Sequence, residues 1–289
     1  MIGPSLAPAP VAVGRERRVS WGLALGLTLL GLLAIVAIGA PVITSADPTF
    51  ESIEGLSATG EPLDAGAPDH PFGTDPKGRD LLARVLYGGR LTLVTALAAV
   101  GIATLAGVVV GLSAASSRRF VGSVLMRFTD LGLAIPGLLL AASVATVLGS
   151  GVLSLVLGLA AVFWAPIARV TYGQAVVLRE REYVVAARVQ GAGSAAILVR
   201  HVFPHLLPVV GAYAALSVGW AVLFESALGF LGAGIAEPDA SIGNLLGCCL
   251  VYYRSHPGLI LFPAIFLFVL VASANLVGES LRADSEADR

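Results

Sequence analysis

The chain has 289 residues, of which 56% are hydrophobic and 13% are charged, with a mean hydropathy of +0.87 and a formal net charge of −1. Soluble domains carry about 25% charged residues, so this composition excludes an ordinary soluble domain. The net charge near zero gives no indication of a nucleic-acid partner, and we expect none.

Five long stretches of the chain contain no charged residue, and a membrane-spanning helix needs about 20 such residues. The 131–168 stretch is too long for one span and is interrupted at 149–151, so it supplies parts of two spans. The sequence therefore predicts an all-α polytopic membrane protein whose six spans lie at roughly 21–43, 90–114, 121–147, 152–172, 206–231 and 258–279. Pro136 and Pro263 are expected to kink the third and sixth spans.

The predicted spans divide the chain into a tail (1–20), a first span (21–43), a loop (44–89), a core (90–279) and a second tail (280–289). A cleaved secretory signal is less well supported, because the first apolar run is longer than the 7–15 residues of a signal core. Residues 79–90 have an apolar face, which predicts a helix lying at the membrane interface before the second span. The pairs Gly22/Gly26 and Gly107/Gly111 fit the small-xxx-small pattern of helix contacts.

The distribution of basic residues predicts the orientation, since lysine and arginine favour the cytoplasmic side. If the N-terminus is cytoplasmic, the outer segments hold only five of the 18 basic residues, namely Lys77, Arg79, Arg84, Arg90 and Arg254. Both termini and the segment 173–205 are then cytoplasmic.

The segment 173–205, here named the polar hairpin, is longer than a connection between two spans needs to be. Its pattern predicts a helix over about 176–190, a break at Gly191-Ala-Gly193, and a second short helix with Ser194 as its N-cap. Pro204 is expected to end the unit just before the fifth span. Small residues along one edge would let another protein approach closely, and the arginines would pair with its carboxylates.

The polar hairpin resembles the EAA loop of ABC-importer permeases, in which an alanine pair precedes a glycine and a proline closes the motif. Ala186, Ala187, Gly191 and Pro204 stand at those positions. Val185 and Phe203 depart from the pattern, which has an acid and a leucine there, and Glu182 lies three positions before the missing acid.

Three further motifs resemble the "C" subunit of the dipeptide/oligopeptide/nickel permease family. They are HPFGTDPKGRDL at 70–81 with RVLYGGRL at 84–91, ESALGFLGAGI at 225–235, and NLVGESLRA at 275–283. The resemblance therefore runs from about residue 70 to the end of the chain. Ile242 stands where the family usually carries a tryptophan.

The resemblance implies a transport subunit, not an enzyme, in the bacterial cytoplasmic (inner) membrane. Such a subunit pairs with a second permease subunit, two ABC ATPase subunits and an extracytoplasmic solute-binding protein. Peptides are the expected cargo, with nickel or another small solute as the alternative. ATP and Mg would bind to the ATPases and no cofactor to this chain, which has no Walker A pattern and only one lysine, Lys77.

The resemblance also implies roles for particular residues. Those expected to couple the chain to the ATPase are Glu182, Tyr183, Ala186, Ala187, Arg188, Gly191, Arg200, His201 and Pro204. Those expected to contact the binding protein or line the substrate path are Asp75, Arg79, Asp80, Glu225 and Asn244.

Several alternatives remain open at this point. Glu225 faces either the substrate path or a neighbouring helix, and Asp130 is expected to pair with Arg127. His201 and His205 have the i, i+4 spacing of metal ligands but no third ligand, so no metal site is expected.

The sequence lacks the paired catalytic residues of an intramembrane protease. It also lacks the inverted repeat that ion-driven transporters often have. The adjacent Cys248 and Cys249 predict no disulfide framework, because a bond between neighbours is strained.

Overall fold

The computed structural model describes residues 21–287, and the side chains of 285–287 are not described. The predicted tail 1–20 therefore lies outside the described residues. The predicted second tail begins as helix, because the last helix runs to Ala287.

The described residues, 21–287, form helices and three isolated β-bridges but no strand. The helices are α1 Trp21–Ile38, α2 Ala40–Ile43, α3 Leu81–Ser116, α4 Arg119–Ala134, α5 Gly137–Leu148, α6 Val152–Arg179, α7 Glu182–Val189, α8 Ser194–Ile197, α9 Phe203–Phe230, α10 Ile242–Cys249 and α11 Gly258–Ala287. A π-helical turn, Leu198–Val202, joins α8 to α9, and a 3₁₀ turn, Leu250–Tyr252, follows α10.

Five helical segments are long and apolar enough to cross a membrane: α1, α3, α6, the continuous run Ser194–Phe230, and α11. The α4–α5 pair makes a sixth if its two parts form one crossing, which agrees with the six predicted spans. The two parts meet at an 89° bend. Pro136 is the N-cap of α5, so the proline marks the break. Pro263, in contrast, lies inside α11, and that helix continues through it.

The predicted interfacial helix is not a separate element, because residues 81–90 form the beginning of the 36-residue α3. Leu81 and Val85 pack in a small apolar cluster with α10 and Leu259, so their apolar face meets protein and not lipid. Gly89 lets this part of α3 lie close to α11, because an added Cβ would stand 2.3 Å from the Phe266 ring. The packing of α10 and α11 therefore extends the second span beyond its predicted start.

Close contacts between spans occur at the predicted small residues. A Cβ added at Gly107 or Gly111 would come within 2.8 Å of α6 atoms, so these glycines let α3 and α6 approach each other. A Cβ added at Gly22 or Gly26 would stand 3.0 Å from α11. Both small-xxx-small pairs therefore face a neighbouring helix, and the main core lies between α3, α6 and α9.

Candidate functional site

The polar hairpin connects α6 to α9 and is anchored by apolar side chains. Val184 of α7, Ile197 of α8 and Val202 of the π-helical turn are buried and belong to the main core. Burying one such side chain contributes about 1.5–3 kcal/mol. The hairpin is therefore firmly seated on the ends of α6 and α9, and a displacement of the hairpin would be passed to both spans.

The turn of the hairpin is a Schellman motif, which explains its glycine. Gly191 has φ +87°, a backbone region that L-residues with a side chain rarely adopt. The Ala192 N–H donates to the Ala187 carbonyl at 3.0 Å, and the Gly191 N–H donates to the Arg188 carbonyl at 3.0 Å. Among the described residues, only the chain neighbours of Gly191 lie within 4 Å of a Cβ added there, so the backbone, and not packing, requires glycine here.

The structure corrects three details of the predicted hairpin. The first helix begins at Glu182, because residues 176–179 complete α6 and the chain turns at Glu180 and Arg181. Gly193 is the N-cap of α8, and Ser194 is its first residue and makes no capping hydrogen bond. Pro204 does not end the unit, because it lies in the first turn of α9, inside the continuous helical run Ser194–Phe230.

The face of the hairpin turned away from the bundle is accessible. Most of the predicted coupling residues are exposed, and only Ala187 and His201 are half-buried. Val189 has 83% of its surface exposed, so an apolar side chain lies on this accessible face. Among the side chains of residues 21–284, neither Arg188 nor Arg200 has an ion-pair partner, so their charges can attract a partner's carboxylates.

The two histidines of the hairpin are occupied by local contacts. His205 Nδ1 lies 2.9 Å from the His201 carbonyl oxygen, and the Tyr183 ring lies 5.4 Å from the His205 ring. Among the described residues no group of three or more histidine, cysteine or acidic side chains could hold a metal ion. His205 therefore links the start of α9 to the π-helical turn and to α7.

At the opposite end of the bundle, an ion-pair clamp is formed by Asp75, Arg79, Arg84 and Glu237. Asp75, Arg79 and Arg84 are 0%, 1% and 0% exposed. Asp75 Oδ2 lies 2.6 Å from Arg79 Nε and 3.2 Å from Arg84 Nε. Removing one partner from a buried ion pair strongly destabilises a protein, because the other charge is left buried and unpaired. These residues therefore fix the loop before α3 to the start of that helix.

Glu237 extends the clamp to the segment between α9 and α10. Its Oε1 accepts a hydrogen bond from Arg79 Nη2 at 3.1 Å, and its Oε2 accepts one from Lys77 Nζ at 2.5 Å. The hydrogen bond from Lys77, followed by that from Arg79, lowers the pKa of the Glu237 carboxyl. The same bond is the main reason that the pKa of Lys77 is raised. Two segments that are distant in sequence are thereby held together.

Glu225 joins three helices from inside the bundle. It is fully buried, and its Oε2 accepts hydrogen bonds from Thr92 of α3 at 2.9 Å and from Ser226 at 3.4 Å. The Thr92 hydroxyl in turn accepts a hydrogen bond from the N–H of Ile242, the first residue of α10, at 3.3 Å. Among the described residues, the hydrogen bond from Thr92 on α3 to Glu225 on α9 is interhelical.

Asp80 and Asn244 act as helix caps. Asp80 Oδ1 accepts the Ala83 N–H of α3 at 2.7 Å, and its Oδ2 lies 2.8 Å from His70 Nδ1. Asn244 forms a capping box with Ser241 at the start of α10. All five residues predicted for the binding protein or the substrate path therefore bind to the chain itself.

Several partners of these residues were missed from the sequence. Asp130 lies within 4.0 Å of Arg127, as predicted, but it also pairs with Arg169 of α6. Glu237 and Thr92 complete the networks of Arg79 and Glu225 from 158 and 133 residues away. No local pattern marks these partners, since only the packing of the spans brings them together.

Comparison with known proteins agrees with this architecture. Residues 107–283 match the model of the family described as the binding-protein-dependent transport system inner membrane component. A candidate peptide transport system permease protein of Brucella abortus biovar 1 is 33% identical over 280 residues, which cover 96% of this chain and 92% of that protein. The di/tripeptide transport system permease protein DppC of Pseudomonas aeruginosa is 33% identical over 257 residues, covering 89% of this chain and 85% of that protein.

Among solved structures, the MetNI methionine ABC transporter in inward-facing conformations contains a chain with a similar fold. The TM-score is 0.58 at 17% identity, and the match covers 69% of this chain and 95% of that chain. At this identity the likeness concerns the fold alone.

Proposed function

The chain belongs to the family of binding-protein-dependent transport system inner membrane components, and from this premise we propose that it is the permease subunit of an ATP-driven ABC importer for di- and oligopeptides. The names of the Brucella and Pseudomonas relatives support a peptide cargo. The chain is a multi-pass protein of the cytoplasmic membrane, as its family and its apolar helices indicate. It acts together with a second permease subunit, two ABC ATPase subunits and an extracytoplasmic solute-binding protein.

The polar hairpin is the part that receives force from the ATPase. The observation that carries this assignment is the contrast between its buried base and its exposed face. Val184, Ile197 and Val202 fix it to the spans, while Val189, Arg188 and Arg200 face away from them, and neither arginine forms an ion pair with a side chain that the structure describes. A partner with an apolar recess rimmed by carboxylates would fit this face.

ATP and Mg bind in the partner ATPases, and this chain performs no chemistry. Closure of the ATPases moves the hairpin, and the hairpin moves α6 and α9 because it is continuous with both. The two permease subunits then rock as packed halves between inward-open and outward-open states. At the opposite end, the ion-pair clamp keeps the segments facing the binding protein in a fixed arrangement.

The assembled complex in lipid vesicles tests this function. We expect a peptide-loaded binding protein to stimulate ATP hydrolysis and uptake, and we expect the isolated chain to do neither. Stimulation by nickel and not by any peptide would indicate that nickel is the cargo. Uptake by the isolated chain without nucleotide would contradict the proposal of an ATP-driven importer.

Reporter fusions test the orientation on which the assignment depends. A fusion at residue 190 should report the cytoplasm and a fusion at residue 65 the outer side. The reverse result would place the polar hairpin out of reach of any ATPase.

A further inference from the structure

A basic cavity lies between α3, α4 and α6 and has no part in the function described above. Its volume is 480 Å³, which is within the usual range for a ligand pocket. The polar residues that line it are Ser117, Arg119, Ser123, Arg127, Asp130 and Arg169. Three arginines therefore face one carboxylate.

The carboxylate does not neutralise the cavity. Asp130 pairs with Arg169. Arg127 Nη1 lies 4.0 Å from Asp130 Oδ2, which is the limit of an ion pair. Among the side chains of residues 21–284, Arg119 has no ion-pair partner. A net charge of about +2 facing a cavity attracts an anion, and arginine is well suited to bind phosphate.

The cavity lies at the depth where phospholipid headgroups are found. Its lining includes the end of α3 and Tyr172 of α6, seven residues before α6 ends at Arg179. At 1.5 Å per residue, this places Tyr172 about 10 Å from the end of α6. Tyrosine is enriched at membrane interfaces, and the topology puts this end of the spans at the cytoplasmic leaflet.

One helix carries both parts of a lipid site. The residues of α4 that line the cavity recur at positions 119, 123, 127 and 130, whereas Phe120, Val124 and Phe128 lie on another face and are exposed. The side chains on the exposed face are apolar and recur every four residues, as an acyl chain lying along the helix would require.

We propose that this cavity binds the phosphate headgroup of an anionic phospholipid of the cytoplasmic leaflet, with an acyl chain along the exposed face of α4. Basic pockets between spans on the cytoplasmic side bind such headgroups in other membrane proteins. The proposal uses the topology of the proposed function but not its cargo or its coupling, so it can fail while transport stands.

The test measures retention of phosphatidylglycerol by the purified full complex, counted by native mass spectrometry during exchange into phosphatidylcholine nanodiscs. We expect Arg119→Gln and Arg127→Gln each to weaken retention about 5-fold, and the double variant about 25-fold, at about 1 kcal/mol for each arginine near the surface. Arg127 is 84% exposed, so its replacement leaves the fold intact. Arg118→Gln is the matched control, because Arg118 is exposed, adjoins Arg119 and does not line the cavity.

Three results would overturn the proposal. The first is equal retention in the double variant and in the parent complex. The second is an equal loss in Arg118→Gln, which would indicate a diffuse charge effect. The third is release of the lipid by low-millimolar inorganic phosphate or by a dipeptide, which would show a site for a soluble anion.

Discussion

Replacing Gly191 tests whether the left-handed turn of the polar hairpin is needed for ATPase docking. The residue has φ +87°, and an L-residue with a side chain is disfavoured in this region by about 1–2 kcal/mol. That energy changes the ratio of this turn to other conformations by about 5- to 30-fold. Since only its chain neighbours lie within 4 Å of an added Cβ, Gly191→Ala introduces no clash with the other residues that the structure describes.

We expect Gly191→Ala to weaken the binding of the ATPase to the permease complex, by up to about 30-fold, because only molecules with the native turn are competent. Gly193→Ala is the matched control. It adds the same methyl group two residues away, also without a neighbour within 4 Å, but at φ −67°, which any residue adopts. Gly191→Asn should lose less, since asparagine enters the left-handed region more readily than alanine.

The assay is a titration of fluorescently labelled ATPase against permease complexes in nanodiscs, with peptide uptake measured in parallel. Unchanged binding in Gly191→Ala, or an equal loss in Gly193→Ala, would refute the reasoning. Equal losses for alanine and asparagine at 191 would instead mean that the ATPase touches this position directly.

The remaining predictions concern the opposite end of the bundle. Asp75→Asn removes the buried carboxylate between two arginines and should lower the free energy of unfolding by about 3–5 kcal/mol. Glu51→Gln is the control: its side chain is 55% exposed, so it should lower that free energy by less than about 1 kcal/mol. Thermal unfolding of both variants in detergent measures the difference. The hydrogen bond from Lys77 lowers the pKa of Glu237. The Glu237 carboxylate therefore stabilises the clamp fully at pH values above 4.5, its ordinary pKa. This stabilisation is lost as the pH falls through the lowered pKa. Proteolysis of the loop before α3 should therefore accelerate on acidification in the parent, and Glu237→Gln should show the faster rate already at neutral pH. Glu225→Gln keeps an acceptor for the hydroxyl of Thr92 on α3, so we expect near-normal peptide uptake. Loss of uptake with normal stability would instead favour a role of Glu225 in the substrate path.

The spans and the turn of the polar hairpin could be predicted from the sequence, because both are local properties. The length of an uncharged run decides whether a helix can cross the membrane. The Gly191 break is likewise set by a few neighbouring residues, as the Schellman hydrogen bonds show. Boundaries were less predictable, since the start of α3 is fixed by its packing against α10 and α11.

The roles of the charged residues could not be predicted, because they depend on contacts between distant segments. Asp75 and Arg79 form part of a recognisable motif, but Glu237, which completes the clamp, lies 158 residues beyond Arg79. A motif does not indicate whether its charges face a partner or are buried within the chain. Arg169 was missed as the partner of Asp130 for the same reason, since α4 and α6 meet only in the folded bundle.

A photo-crosslinking comparison tests the central claim that the polar hairpin contacts the ATPase. Val189 of α7 and Val251, beyond α10, are 83% and 84% exposed, so a photoreactive residue at either position should be equally accessible. In intact cells we expect position 189 to crosslink to the ATPase subunit and position 251 not to. Crosslinking at 251 and not at 189 would place the force-receiving surface at the wrong end of the bundle and contradict the account.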